Sequence, residues 1–233
     1  MERNDKLKRF EYWVKARIGK IAFIDIEEKR TKAWYGNGYG GFYVDPTIIP
    51  ENAIVYSFGI GEDISFDKDI INKHNCQVYG FDPTPKSIKY ISEHDIPVQF
   101  HFHPFGLGEK TGRVTFNLPK NQDHVSGSVY DHHLVDHDNA VEVLLKEFKE
   151  ITGDLEHYHI DVLKMDIEGS EYAVMEGILN SGIPIKQILV ETHERFFEDG
   201  KEKGKKFFSL LNKHGYKIFA ISDTYQEISL IKS

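Results

Sequence analysis

AIVYSFGIGEDISFD (53–67) decides the reading of the fold. Its opening residues are apolar, β-branched or aromatic, the composition of a strand buried on both faces. Gly59 and Gly61 end that strand in a tight turn, since glycine alone takes left-handed backbone without a steric cost. DKDIINKH (67–74) suits a helix, and CQVYGFD (76–82) repeats the strand composition. Strand, turn, helix and strand make a βαβ unit, which requires a parallel sheet.

Outward from this unit the alternation continues. PVQFHFHPFGLG (97–108) reads as a third strand and GRVTFNL (112–118) as a further extended piece. Residues 119–139 are polar and read as irregular, and 140–152 as helical. IDVLKMDI (160–167) is a buried strand, and EYAVMEGIL (171–179) a helix ended by Asn180, Ser181 and Gly182. IKQILVETH (185–193) is the next strand, and 201–213 a Lys-rich helix. YKIFAIS (216–222) and QEISLIK (226–232), a short turn apart, predict an antiparallel hairpin.

Upstream, four glycines in AWYGNGYGGFYVDPTIIPE (33–51) make a continuous helix implausible. The stretch reads as a loop or hairpin, either a structural entry segment or a lid on the ligand site. Leu7, Phe10, Val14, Ile18 and Ile21 recur at helical spacing, so residues 5–20 predict an amphipathic helix docked on its own domain or on a second subunit. The second option admits a homodimer. The chain therefore divides into a leading segment, 1–52, and a domain, 53–233. The fold class is α/β: a mostly parallel sheet with helices on both faces and an antiparallel C-terminal hairpin. In such sheets ligands bind beyond the carboxyl ends of the strands, where the strand order reverses.

Composition narrows the function. The 233 residues are 40% hydrophobic and 28% charged, a globular balance. A net charge of −8 argues against a nucleic-acid partner, whose phosphates need a basic surface. Cys76 is the one cysteine, so no intramolecular disulfide forms. No apolar run approaches the roughly 18 residues of a membrane span, and the charged N-terminal stretch lacks an apolar signal core. A cytoplasmic protein without membrane insertion is expected.

The chemistry concentrates at three strand ends. Asp82 follows Gly61 by 21 positions, where a carboxylate can accept hydrogen bonds from ribose hydroxyls. This suits a dinucleotide or S-adenosylmethionine. The third glycine of a dinucleotide fingerprint would fall at Ile64, and Glu62 and Asp63 stand where a pyrophosphate would sit. An acidic turn instead welcomes the ammonium and sulfonium of S-adenosylmethionine. In LKMDIEGSEYAVMEG (163–177), strand alternation puts Lys164, Asp166 and Glu168 on one face. Gly169 then breaks the strand and Ser170 is placed to cap a helix. Glu191 and His193 share a face at the neighbouring strand end. A plain structural reading remains open: Asp166 or Glu168 pairing with Lys164, and His193 as a hydrogen-bonded core histidine. His101, His103 and DHHLVDHD (131–138) have metal-binding residue types. Their spacing matches no ligand pattern, so no metal is expected there, and SGS (126–128) reads as a turn or a closing loop.

SFGIGEDISFD, VYGFDPTP, LKMDIEGSEY and ILVETH, in that order, resemble the FkbM family of S-adenosylmethionine-dependent methyltransferases over roughly residues 53–220. The resemblance implies a class I methyltransferase fold, with a seven-stranded sheet whose last strand is antiparallel. It also implies O-methylation of a hydroxyl on a sugar, glycan or related small metabolite. It places Gly59 and Gly61 along the methionine moiety, Asp82 on the ribose, and Phe105, Gly106 and Leu107 around the adenine. Asp166 falls near the amino group or the reacting methyl. The family's usual Asp two residues before the first glycine is Ser57 here, with Glu62 and Asp63 offered after the turn instead. His193 is the first choice for general base, because imidazole titrates near neutrality. Asp166, Glu168 and Glu191 are its rivals. Other readings are an NAD(P)-dependent oxidoreductase on a similar sheet and a non-catalytic S-adenosylmethionine-binding module.

Overall fold

The computed structural model describes residues 10–15, 17–18, 22–119 and 135–233. The SGS stretch and His132 and His133 lie outside the described residues, as do residues 5–9, 16, 19 and 20 of the predicted N-terminal helix. Residues 10–15 are helical, and Tyr12 stacks on Tyr225 at 6.5 Å while Phe10 and Ile18 stay exposed.

The Gly/aromatic stretch forms a hairpin of β1 (Ala33–Tyr35) and β2 (Phe42–Val44), paired antiparallel. It is pinned to the sheet behind it: Asp45 N donates to Gln187 Oε1, and Gln187 Nε2 returns a bond to Asp45 O. Both ends of the buried Gln187 amide are thereby satisfied.

The βαβ unit forms as read, with β3 (Ile54–Phe58), a helix at Ser65–His74 and β4 (Gln77–Phe81). A helix at Pro85–Glu93 leads to β5 (Phe100–His103) at the sheet edge. The chain then leaves the sheet through β6 (Gly106–Leu107), β7 (Gly112–Pro119) and β8 (Val135–Lys146), which form a three-stranded sheet of their own. It returns to β9 (Ile160–Met165) on the other side of β3. After β10 (Ile185–Glu191) come β11 (Tyr216–Ile221) and β12 (Glu227–Lys232), the latter antiparallel to both β10 and β11. The order β11-β12-β10-β9-β3-β4-β5 is that of a Rossmann-like methyltransferase sheet, with one strand reversed. The C-terminal hairpin is present as expected.

Period-two alternation divides the sheet's side chains between two cores. Tyr56, Phe58, Leu163, Met165, Ile188 and Val190 face Val174, Met175 and Ile178 of the helix Glu171–Leu179 and Phe207 and Leu211 of the helix Gly200–Lys213. Val55, Val78, Val162 and Leu189 face Phe66, Ile70 and Ile71 of the Ser65–His74 helix, together with Tyr35, Phe42 and Val44 of the hairpin. Helices therefore cover both faces.

The reading of 140–152 as helix is corrected in its first half, as is that of 135–139 as irregular, while 120–134 lie outside the described residues. Residues 135–146 are strand β8, and only Phe148–Asp154 is helical. Val141, Val143 and Leu145 alternate, and they pair across to Phe116, Val114 and Gly112. A long antiparallel ladder overrides weak local helix propensity.

Register places the site. Phe58 pairs with Phe81 on one side and Met165 on the other. The residues that follow these three, Gly59, Asp82 and Asp166, therefore emerge side by side where the strand order reverses.

Candidate active site

Gly59 sits at φ +79° and Gly61 at φ +57°. A Cβ on Gly59 would lie 1.7 Å from the carbonyl oxygen of Asp166, so the turn passes against the next strand end with no room for a side chain. Lys164 braces it from below, its Nζ donating to Gly59 O at 2.7 Å. Asp82 braces it from the side. One carboxylate oxygen accepts Ile60 N and Gly61 N, both at 2.9 Å, and the other accepts Thr84 N and Thr84 Oγ1. Asp82, expected as a ribose ligand, lines the cavity but is buried, and four donors inside the chain already bind its carboxylate.

A cavity of about 570 Å³ opens above these strand ends, within the size range of sites for small molecules and cofactors. Phe58, Ile60, Phe81, Leu107, Phe116 and Leu145 give it an apolar wall; Gly59, Gly61, Glu62, Asp63, Asp67, Asp82, Asp166, Glu168 and Ser170 give it a polar one. Lys164 is the basic side chain among the lining residues, and its ammonium is committed to Gly59 O. A pyrophosphate would thus meet carboxylates and, among the described residues, no free cation, whereas a cationic, phosphate-free ligand with a flat aromatic base fits both walls.

The tip of the β1–β2 hairpin closes one side. Asn37, Tyr39 and Gly40 line the cavity. Asn37 Nδ2 donates to Asp63 Oδ2 at 2.8 Å, and Asn37 Oδ1 accepts Tyr39 N and Gly40 N. Asp63 also accepts Ser65 N, so it ties this tip to the start of the Ser65–His74 helix.

Beyond the cavity wall lies a charged cluster. His193 is fully buried; its Nδ1 lies 3.1 Å from Glu171 Oε1, and its backbone N donates to the same oxygen. Its Nε2 faces Glu168 Oε2 at 3.3 Å, Glu191 Oε1 at 3.5 Å and Asp166 Oδ1 at 3.7 Å. Burial alone would depress the imidazole pKa. The charges of Glu171, Glu168 and Glu191 more than reverse this and raise it to about 10. Burial raises the Glu191 carboxyl too, with Asp166 adding repulsion. His193 as first-choice base meets an obstacle here: the ring is sealed behind Asp166 and Glu168, and at neutral pH it already carries the proton it would have to accept. Asp166 and Glu168 face the cavity, whereas His193 and Glu191 do not line it.

The four cluster residues expected from sequence do converge, though not by strand alternation alone. β9 ends at Met165, and Glu168 reaches the cluster because it takes a left-handed conformation, φ +52°. Gly169 at φ +97° completes the bend. Ser170 makes no side-chain capping bond and lines the cavity instead. Gly106 and Leu107 border the cavity as expected, but Phe105 packs behind it on Phe81 at 5.5 Å. His101 bonds to Gln77 and packs at a tilt against Tyr79, away from the cluster.

Two residues escaped the sequence reading. Glu171, fully buried, accepts Gly169 N as well as both His193 contacts; its place in the first helical turn made it look like an ordinary helix-start acid. Asp67, in the first turn of the Ser65–His74 helix, is buried in the cavity wall beside Ser57, and burial pushes its carboxyl pKa up against the pull of Lys164. The signal for Asp67 was the Ser57 departure, which called for a carboxylate elsewhere in the wall.

A family model described as "Methyltransferase domain" matches residues 22–232. The human probable methyltransferase-like protein 24 is 26% identical over 183 residues, covering 75% of this chain and 43% of that protein. The rat protein of the same name is 26% identical over 182 residues, covering 75% and 44%. The chain spans under half the length of these curated relatives. Among solved structures, the Methanococcus jannaschii fibrillarin pre-rRNA processing protein aligns with a TM-score of 0.47 at 16% identity, over 83% of this chain and 71% of that one. Aeropyrum pernix fibrillarin, solved with natively bound S-adenosylmethionine, aligns with a TM-score of 0.44 at 11% identity, over 90% and 84%.

Proposed function

The chain belongs to the methyltransferase-domain family, its cofactor is S-adenosylmethionine, and from that premise we propose that it methylates a hydroxyl oxygen of a sugar, glycan or related small acceptor. The observation that carries this reading is the pair of carboxylates, Asp166 and Glu168, lining the same cavity as the Gly59–Gly61 turn. The bound cofactor supplies a methyl carbon activated by a positive sulfonium. The apolar wall around Phe81 and Leu107 takes the adenine, and the acidic turn at Glu62 and Asp63 takes the amino group. An alcohol is a weak nucleophile and gains from a carboxylate within hydrogen-bond reach. Glu168 takes that role: it faces the cavity, with His193 Nε2 3.3 Å behind its Oε2. Likeness to the FkbM methyltransferases in the D-I-E-G-S-E and E-T-H segments supports oxygen as the atom methylated.

Turnover of a panel of polyol and glycoside acceptors tests this. Glu168→Gln is expected to lower kcat by about 10²–10⁴ while leaving cofactor affinity within about twofold. Full activity in a folded Glu168→Gln chain would remove the base assignment, and methylation of RNA or amines in place of alcohols would remove the acceptor class.

A further inference from the structure

The cluster behind the cavity wall has a geometry that a hydroxyl-activating base does not require. His193 Nε2 makes no hydrogen bond among the described residues, although it is completely buried. Asp166 Oδ1 is likewise buried without a hydrogen-bond partner. Leaving such atoms unmet costs about 1–3 kcal/mol each, more for charged groups. One donor atom each from Asp166, Glu191 and His193 lies within 4.8 Å of the other two. Carboxylates held this close repel each other, and among the described residues Arg195 pairs with Glu191 alone of the three carboxylates, at 3.4 Å from the half-exposed edge.

We propose that Asp166, Glu191 and His193 form a binding site for one divalent cation of the Mg²⁺/Mn²⁺ class, and that this cation binds the acceptor hydroxyl at the cavity wall. The role in acceptor binding rests on the methyltransferase reading above; the cation site does not. Six ligands at about 2.1–2.2 Å hold neighbouring donors about 3.0 Å apart and opposite donors about 4.3 Å apart. The separations of 3.5 Å and 3.7 Å from Nε2 to Glu191 and Asp166 fall between these values. Two carboxylates and one imidazole are a hard, oxygen-rich donor set without sulfur, which suits Mg²⁺ or Mn²⁺ over thiophilic ions. Glu171 completes the arrangement. By accepting from Nδ1 it fixes the tautomer whose Nε2 lone pair points at the carboxylates, the usual support for a metal-bound histidine. The same surplus of negative charge that favours a proton on this ring favours a metal ion in its place.

Asp166 belongs both to the cluster and to the cavity wall, so the ion's remaining positions face the cavity. A hydroxyl bound there is more acidic. Its proton passes to Glu168 and then to water, the O–CH₃ bond forms, and the S–CH₃ bond breaks with its electron pair left on sulfur.

Mn²⁺ alone, added to the purified chain without cofactor, tests the site. Electron paramagnetic resonance is expected to show one bound ion per chain, with the nitrogen coupling of a directly bound imidazole. Glu191→Gln is expected to weaken Mn²⁺ at least about tenfold, and His193→Gln to abolish the nitrogen coupling. Stabilisation by S-adenosylmethionine, measured on every variant, reports that the fold and cofactor site are intact. A chain that binds the cofactor but takes up no Mn²⁺ at millimolar concentration overturns the cation site. So does Mn²⁺ binding unchanged in Glu191→Gln, or binding of Zn²⁺ to the exclusion of Mn²⁺ and Mg²⁺. Mn²⁺ bound as described by a chain indifferent to S-adenosylmethionine would leave the site standing and remove the methyltransferase reading.

Discussion

Glycine at position 59 is demanded twice, by a left-handed backbone and by the carbonyl of Asp166 that occupies the place of a Cβ. Gly59→Ala should therefore destabilise the chain by about 2–5 kcal/mol, the sum of left-handed strain and forced displacement of the neighbouring strand end. Urea denaturation measures it; a loss under about 1 kcal/mol would mean the turn has room that the backbone positions deny. Asp82 shows a related economy. A carboxylate that looks like a ligand from its spacing is spent on the turn's own N–H groups. Its removal is felt first in the shape of the Gly59–Gly61 turn, whose N–H groups it accepts.

At the level of elements, the hairpin tip and the helix it touches behave as one wall. Asn37 links its own turn to Asp63, and Asp63 accepts the backbone N–H of Ser65, where the helix starts. Asn37→Ala should loosen the tip without unfolding the sheet. A net hydrogen bond is worth about 0.5–1.5 kcal/mol, so cofactor affinity should fall about two- to tenfold. Calorimetric titration with S-adenosylhomocysteine gives the affinity, and amide exchange at residues 36–41 gives the loosening. Unchanged exchange and affinity together would reduce the hairpin to a structural entry segment. Its glycines and aromatics left both readings open in the sequence. Only the packing of its tip against Asp63 brings it to the cavity.

For the molecule as a whole, Cys76 is a built-in reporter, the one thiol of the chain, with burial pushing its pKa up to about 12. It lies in the core on the hairpin's side of the sheet, so alkylation requires large-scale opening. S-adenosylmethionine at 100 times its dissociation constant stabilises by about 2.7 kcal/mol and should slow that alkylation about 100-fold, whereas NAD should not. Protection by NAD alone would return the oxidoreductase reading. The strands, their glycine turn and the C-terminal hairpin were legible in the sequence, because burial on two faces writes a local, periodic pattern into each segment. β8 was not, because the antiparallel ladder it makes with β7, which no local pattern in 135–146 announces, outweighs local propensity. The cluster was half legible: sequence named Asp166, Glu168, Glu191 and His193 at two strand ends. Tertiary structure decided the rest. A left-handed turn swung Glu168 inward, Glu171 from the following helix took hold of the ring, and the charges of Glu171, Glu168 and Glu191 outweighed the burial that would have kept the imidazole neutral. Residue types follow from the sequence; protonation and ligation follow from which charges the fold brings within a few ångströms of one another and shields from water.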